Sequence, residues 1–107
     1  MTITIYGIKS CDTCRKALKA LPEAAFRDIR ATPLSAEERA EFHAAFGDKL
    51  INRASTTWRG LPEETRAEPV ETLLAAHPTL MKRPVIRAGD ALHLGWKADT
   101  QAALGLK

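Results

Sequence analysis

The sequence predicts an α/β fold, in which helices pack against a small sheet. The chain begins with the patterns of a strand, a helix and a second strand, and it ends with those of a β-hairpin and a helix. Proline-bounded helical segments lie between these two ends. Such an order is typical of a small α/β sandwich. With 107 residues the chain is expected to form a single domain, because half of it could not bury a core.

The first third of the chain carries a β-α-β pattern. Residues 2–6 (TITIY) are all β-branched or aromatic, and Gly7 follows them, which predicts a strand. A helix is predicted from Asp12 or Thr13 to Pro22, because its apolar residues recur at helical spacing: Cys14, Ala17, Leu18 and Leu21. Residues 24–29 (AAFRDI) form the second predicted strand.

The middle of the chain is predicted to be helical. Ser35 with Glu38 forms a capping box, so a helix begins there and ends at Gly47. The residues expected on its buried face are Phe42, Ala45 and Phe46. Residues 48–68 are polar and predict only short helical turns. Pro69 suits the first turn of a helix that ends at Pro78, with an apolar stripe of Val70, Leu73, Leu74 and His77.

The end of the chain predicts a hairpin and a short helix. The two predicted strands of the hairpin are residues 84–87 (PVIR) and 91–94 (ALHL). Ala88, Gly89 and Asp90 separate them, which suits a β-turn. Residues 97–104 form the last predicted helix, closed by Gly105. The predicted order thus has two strands before the helical middle and two strands after it.

Composition excludes several classes of protein. Hydrophobic residues make up 45% and charged residues 27%, as in ordinary globular domains. The net charge of +3 is spread among interspersed acids, so direct binding to nucleic acid is not expected. No apolar run is long enough to cross a membrane, and no signal peptide is visible at the N-terminus. A cytoplasmic location is therefore predicted.

The two cysteines, Cys11 and Cys14, form a C-x-x-C motif where the first strand meets the first helix. In a reducing compartment such a pair indicates redox chemistry or half of a metal site. Zinc needs four ligands, and the three histidines have no ligand spacing with these cysteines, so no metal is expected. A C-x-x-C at this junction of a β-α-β unit predicts a thioredoxin-like fold.

Position distinguishes the roles of the two cysteines. Cys11 lies at the predicted start of the helix, where free N–H groups and the helix dipole favour the thiolate. Arg15 adds a positive charge nearby, while Asp12 opposes it. Cys14 lies on the apolar stripe, where a cysteine is often only a small core residue. We predict that Cys11 is the nucleophile and that Cys14 resolves the mixed disulfide.

Four separated motifs resemble the arsenate reductase (ArsC)-like family, most closely its YffB branch, with the Spx regulators as a neighbouring branch. The motifs are YGIKSCDT at 6–13, TTWR at 56–59, LMKRPV at 80–85 and LGW at 94–96. The resemblance implies a thioredoxin-like fold with a helical insertion, about residues 33–78, between the βαβ and ββα halves. It also implies an active-site cysteine at Cys11, an oxyanion-binding arginine at Arg83 and a cis-proline at Pro84.

The sequence departs from the arsenate reductases of this family at the positions that bind arsenate. Those enzymes have serine where this chain has Cys14, and they hold arsenate with three arginines. Arg83 matches one of the three. The second position holds Asn52, with Arg53 beside it, and the third falls in LGW at 94–96, which has no arginine. Because arsenate would lose most of its charge-assisted hydrogen bonds, it is not the expected substrate.

The residues and the resemblance together predict a small thiol–disulfide oxidoreductase with glutathione as co-substrate and no bound cofactor. Its partners are glutathione and a disulfide or oxidised thiol. Arg15 and Arg83 are expected to support the thiolate and to bind the anionic part of glutathione, with Pro84, Asn52 and Arg53 around the site. Two alternatives remain: a Spx-like redox-switched regulator that binds the α subunit of RNA polymerase, and a glutathione-dependent arsenate reductase.

Overall fold

The computed structural model describes residues 2–105 and contains four strands and six α-helices among them. In chain order they are β1 Ile3–Gly7, α1 Asp12–Ala20, β2 Ala25–Asp28, α2 Ala36–Phe46, α3 Thr56–Arg59, α4 Glu63–Arg66, α5 Val70–Ala76, β3 Val85–Ala88, β4 Ala91–Leu94 and α6 Ala98–Ala103. Short 3₁₀ helices occupy Gly47–Leu50 and Pro78–Leu80. The predicted order of elements is confirmed.

The strands form one sheet in the order β2-β1-β3-β4. β1 pairs in parallel with β2, which is possible because α1 provides the crossover connection between them. β3 is antiparallel to both β1 and β4, and β3 and β4 form the predicted hairpin. This mixed four-stranded sheet with its β-α-β start and terminal hairpin is a thioredoxin-like fold of the α/β class, as the sequence predicts.

Two compact units divide the described chain. One contains the sheet, α1 and α6, from the described residues up to Ile29 and from Arg83 onward. Its core centres on Ile5, Ala17 and Ile86, which have no exposed surface. The side chains that pack on this cluster are Ile3, Leu18, Leu21, Ala24, Phe26, Trp96 and Leu104. Burial of apolar area at about 25 cal/mol per Å² holds α1 against the sheet.

The other unit is Arg30–Lys82, the helical insertion. Its first helix, α2, begins at the predicted capping box: the Glu38 N–H donates to Ser35 Oγ at 3.1 Å, and the Ser35 N–H donates to Glu38 Oε1 at 2.8 Å. α2 packs on α5, and His43 Nδ1 lies 3.1 Å from Glu71 Oε2 across that contact. That the two units form a single domain, with the insertion near 33–78, stays a prediction.

Two details of the insertion differ from the prediction. Phe42 is fully buried, but Ala45 is exposed. The buried face of α2 is centred between Phe42, His43 and Phe46, and this turns Ala45 towards solvent. Pro69 is the N-cap of α5 and not its first helical residue. Throughout residues 2–105, no helix has the length and apolar character needed to span a membrane.

Candidate active site

The loop between β1 and α1 places Cys11 at the start of a helix. Cys11 is the N-cap residue of α1, with extended backbone angles (φ −82°, ψ 120°). Its N–H donates to the Ile8 carbonyl at 3.0 Å, and its own carbonyl accepts from the Arg15 N–H at 3.0 Å. Cys11 is therefore held where α1 presents its unpaired N–H groups, and its side chain remains partly exposed. Both cysteines are free thiols.

The surroundings of Cys11 lower the pKa of its thiol. Partial burial raises the pKa, but the opposing interactions outweigh that effect. The backbone N–H and the thiol of Cys14 favour the thiolate by hydrogen bonding, and the Arg83 guanidinium does so by hydrogen bonding and by its charge. Cys11 is thus an activated thiol.

The pKa of the Cys14 thiol is shifted in the opposite direction, upward. Only 1% of its surface is exposed, and this burial, with the hydrogen bond to Cys11 and the repulsion by its negative charge, raises the pKa of Cys14 to about 12. The Ile8 N–H and the Arg83 charge oppose the rise but are weaker. The pair therefore loses its first proton from Cys11, and Cys14 keeps its proton until a far higher pH.

Arg83 and Pro84 open the segment that leads into β3. The Arg83–Pro84 peptide bond is cis, as the resemblance implies. Pro84 is fully buried, and its carbonyl accepts from the Gly95 N–H at 2.8 Å, which ties the segment to the end of β4. Arg83 is partly buried and acts on Cys11 through its guanidinium. The structure therefore brings together Cys11, Cys14 and Arg83, three residues that the sequence predicts for the site.

Arg15 lies in the first turn of α1, where its side chain contacts the preceding loop. Its Nε donates to the Lys9 carbonyl at 2.9 Å, and its Nη1 lies 3.8 Å from Asp12 Oδ1. Both side chains of that ion pair are exposed, so the pair adds little stability. The lowered pKa of Cys11 comes from Cys14 and Arg83, and Arg15 instead fixes the loop that precedes α1. A role for Arg15 in binding glutathione stays a prediction.

Asn52 and Arg53 lie in the insertion, where their contacts shape a turn. Asn52 Oδ1 accepts from the Ala54 N–H at 3.1 Å, and the Asn52 carbonyl accepts from Ser55 Oγ at 2.9 Å. The exposed Arg53 guanidinium lies 5.3 Å from the centre of the Trp58 ring, a cation–π contact. A site role for Asn52 and Arg53 stays a prediction.

Gly7 is a residue of the site that the sequence analysis missed. A Cβ at this position would overlap the Cys14 Sγ atom and would lie 3.6 Å from the Phe26 ring. Glycine at the end of β1 therefore lets the Cys14 sulfur lie against the strand, within reach of Cys11. The sequence does contain a signal for this contact, because a glycine within a strand often marks a place where another group approaches the backbone closely.

We expect Gly7→Ala to destabilise the fold by roughly 1–3 kcal/mol, the usual cost of overpacking a core. The control is Gly60→Ala, whose added Cβ meets nothing closer than the Thr56 carbonyl at 3.4 Å and which should change stability by no more than about 0.5 kcal/mol. Chemical denaturation measures both. In the double variant Gly7→Ala/Cys14→Ala, part of the lost stability should return because the sulfur is gone. No recovery would contradict the packing of Cys14 on Gly7.

The opposite pKa shifts predict selective alkylation. Iodoacetamide should label Cys11 with a half-maximal rate below pH about 8.5, the value of a free cysteine, because only the thiolate reacts. Cys14, with a pKa of about 12 and almost no exposed surface, should stay unlabelled over the same range. Fragment mass spectra assign the label to one sulfur or the other. A Cys11 titration at or above about 8.5 would refute the activation of Cys11.

Fold and site together define a class: a thioredoxin-like protein with a cysteine pair at the start of its first helix and an arginine before a cis-proline. Within the described residues, no group of three His, Cys, Asp or Glu side chains is placed to hold a metal ion. Comparison with known protein families matches the ArsC family over residues 6–104. The chain belongs to the ArsC family.

Three relatives illustrate the range of the similarity. An uncharacterized protein of Haemophilus influenzae is 43% identical, over 94% of this chain and 97% of its own length. A solved structure of a YffB protein is 36% identical, with a TM-score of 0.87 over 95% of this chain and 97% of that one. The global transcriptional regulator Spx of Bacillus subtilis is 29% identical, over 91% and 82% respectively. The predicted resemblance to YffB and Spx is confirmed.

Proposed function

We propose that the protein is a thiol–disulfide oxidoreductase, with Cys11 as nucleophile, Cys14 as resolving thiol and glutathione as the reductant. The observation that supports this proposal is the opposite shift of two neighbouring thiols: the pKa of Cys11 is lowered, and that of Cys14 is raised to about 12. A partly exposed thiolate beside a buried, protonated thiol suits an attacking sulfur and a resolving sulfur. Two core cysteines without redox chemistry would both be buried and protonated.

In the first step, the Cys11 thiolate attacks one sulfur of a substrate disulfide. A bond forms between Cys11 Sγ and that sulfur, the substrate disulfide breaks, and the other half leaves as a thiolate that takes a proton from water. Arg83 stabilises the negative charge on Cys11 before the attack. Its charge also stabilises the departing thiolate, because the negative charge moves from the attacking sulfur to the leaving sulfur during the exchange.

In the second step, Cys14 attacks Cys11 in the mixed disulfide. The Cys11 thiolate contributes to the high pKa of Cys14 through its hydrogen bond and its charge, and both contributions end once Cys11 is in a disulfide. Burial still raises the pKa of Cys14, while the Ile8 N–H and Arg83 still lower it. Cys14 therefore loses its proton more easily after the first step than before it. The attack releases the second substrate thiol and leaves a Cys11–Cys14 disulfide.

Glutathione would complete the cycle without any bound cofactor. One glutathione thiolate attacks the Cys11–Cys14 disulfide at Cys11, and a second glutathione releases Cys11 as a thiolate, so that two glutathione molecules become one glutathione disulfide. The carboxylates of glutathione would be attracted by the guanidinium groups of Arg83 and Arg15. In the cytoplasm, where the sequence predicts the protein to reside, glutathione keeps such pairs reduced.

A coupled assay tests this proposal. The protein is supplied with glutathione, glutathione reductase and NADPH, and reduction of 2-hydroxyethyl disulfide is followed by the loss of NADPH absorbance. We expect turnover that depends on both glutathione and Cys11. Arsenate is run in parallel and should give none, because only one of the three expected arginine positions carries an arginine. Absence of turnover with the disulfide would refute the proposal.

A redox-switched regulator is the second candidate, favoured by the similarity to Spx along 91% of this chain. In that case the protein would bind the C-terminal domain of the RNA polymerase α subunit. We expect no such binding, because α2 carries no apolar stripe beyond the residues that its own core uses: Phe42 is buried, and Ala45 is the small exposed residue next to that face. A pull-down that shows micromolar or tighter association would favour the regulator over the oxidoreductase as the function of this protein.

A further inference from the structure

A groove of about 370 Å³ runs along α1 beside the cysteine pair. Its walls come from three elements: the loop after β1, helix α1 and strand β2. The lining residues are Ile8, Lys9, Cys14, Arg15, Leu18 and Phe26. A volume of this size lies within the range of ligand pockets, which are mostly apolar with a few polar groups at defined places. The glutathione chemistry proposed above uses Cys14 and Arg15 but not the apolar side chains of this groove, Ile8, Leu18 and Phe26.

The groove follows the helical face on which the nucleophile lies. Cys11, Cys14, Arg15 and Leu18 are spaced three, four and seven residues from the first, so they lie on one side of the helix axis. Cys11 stands at the open end of this face, at the N-cap, and the three others line the groove below it. A disulfide bound to Cys11 can therefore extend its next residue along the groove.

The lining combines an apolar floor with a cationic rim. Ile8 and Cys14 are buried, and Leu18 and Phe26 are partly buried, so the floor is apolar. Lys9 and Arg15 are exposed at the edge. Arg15 donates its Nε to the Lys9 carbonyl at 2.9 Å, and its Nη1 forms an exposed ion pair with Asp12 at 3.8 Å. Lys9 and the Arg15 N–H groups outside these contacts supply the positive charge and the donors for an anion.

We infer that this groove is a side-chain subsite for the disulfide substrate, one that takes a bulky apolar side chain next to the disulfide and a carboxylate on Lys9 and Arg15. The inference rests on the proposed thiol chemistry of Cys11. It makes the substrate a peptide or protein disulfide of that local composition. Glutathione carries carboxylates but no bulky apolar side chain, so it leaves the floor of the groove empty. The step itself is unchanged: the peptide leaves as a reduced thiol.

Competing peptide disulfides test the subsite. Three short peptides are used as mixed disulfides with 2-mercaptoethanol: one with leucine next to the cysteine and glutamate beyond it, one with glycine in place of leucine, and one with lysine in place of glutamate. Each kcat/KM is divided by that for 2-hydroxyethyl disulfide, so that changes in thiol reactivity cancel. We expect the leucine–glutamate peptide to exceed each of the others roughly tenfold, as filling an apolar pocket does.

A charge reversal at the rim supplies the matched variants. Lys9→Glu should reduce the preference for glutamate over lysine in the peptide or reverse it. Lys16→Glu makes the same change of charge on an exposed residue of α1 that does not line the groove, and it should leave the preference as it is. Equal kcat/KM for all peptides, or equal effects of the two variants, would overturn the subsite.

An unreactive peptide separates this inference from the proposed function. With serine in place of its cysteine, the leucine–glutamate peptide cannot exchange disulfides, and its binding is followed by NMR. Shifts at Lys9, Arg15, Leu18 and Phe26 support the subsite, and their absence overturns it. Failure to reduce 2-hydroxyethyl disulfide refutes the proposed function, whereas reduction of it with no preference among the peptides refutes only the subsite.

Discussion

We expect Cys11→Ser to abolish disulfide reduction and Cys14→Ser to leave a protein that accumulates a mixed disulfide with glutathione. Cys11 is the partly exposed thiol with the lowered pKa, so without it no attack occurs. Cys14 is buried, and its pKa is about 12, so without it the first step still takes place and the second does not. The coupled assay measures turnover, and intact mass spectrometry after treatment with glutathione disulfide measures the adduct.

The two serine variants control for each other, because each keeps one sulfur and changes side-chain volume by the same small amount. The adduct should appear on Cys11 in Cys14→Ser and should be absent in Cys11→Ser. An adduct on Cys14 in Cys11→Ser would reverse the assignment of nucleophile and resolving thiol. Full turnover in Cys14→Ser would show that glutathione alone resolves the mixed disulfide.

Arg83→Ala should raise the pKa of Cys11 and slow disulfide reduction. The guanidinium favours the Cys11 thiolate by a hydrogen bond and by its charge, and a hydrogen bond to a charged group contributes about 1.5–3 kcal/mol. That corresponds to roughly a ten- to hundredfold loss in rate or affinity. Arg83→Lys should restore only part of it, because lysine retains the charge without the forked donors. Iodoacetamide labelling against pH reports the pKa directly.

Lys82→Ala is the matched control for Arg83. Lys82 precedes Arg83 in the chain, and its side chain is exposed, so its loss removes a positive charge that has no part in the pKa of Cys11. Chemical denaturation of all three variants separates a change at the thiol from a loss of fold. If Arg83→Ala leaves both the pKa of Cys11 and the rate unchanged, Arg83 does not act on the thiol.

Local signals in the sequence predicted the secondary structure well. α2 begins at the capping box because Ser35 and Glu38 satisfy each other's backbone N–H groups within four residues. α1 stops before Pro22, and β1 stops at Gly7, as the sequence indicates. Residues 48–68 have no such periodic signal, so α3 and α4 could be predicted only as unplaced turns. Ala45 was misplaced because the apolar spacing of α2 does not reveal where α5 packs.

The site could be predicted only where its residues are close in the chain. Cys11 stands at the predicted helix start and Cys14 on the apolar stripe three residues later, and these positions indicate their different exposures. Arg83 lies far along the chain, and its place came from the resemblance, because a contact between distant segments leaves no local pattern. Gly7 against Cys14, and Phe26 in the groove, are likewise tertiary contacts. The sequence predicts Arg15 in the first turn of α1, but not the hydrogen bond from its side chain to the Lys9 carbonyl.

The proton on Cys14 affects how the reduction potential of the pair depends on pH. Between the pKa of Cys11 and that of Cys14, about 12, the reduced pair carries one proton, so oxidation releases two electrons and one proton. The midpoint potential should then fall by about 30 mV per pH unit, and not by about 59 mV as for two protonated thiols. Oxidation also removes the negative charge beside Arg83. The net charge around Arg83 is therefore one unit more positive in the oxidised protein, which attracts an anionic thiol more strongly than the reduced protein does.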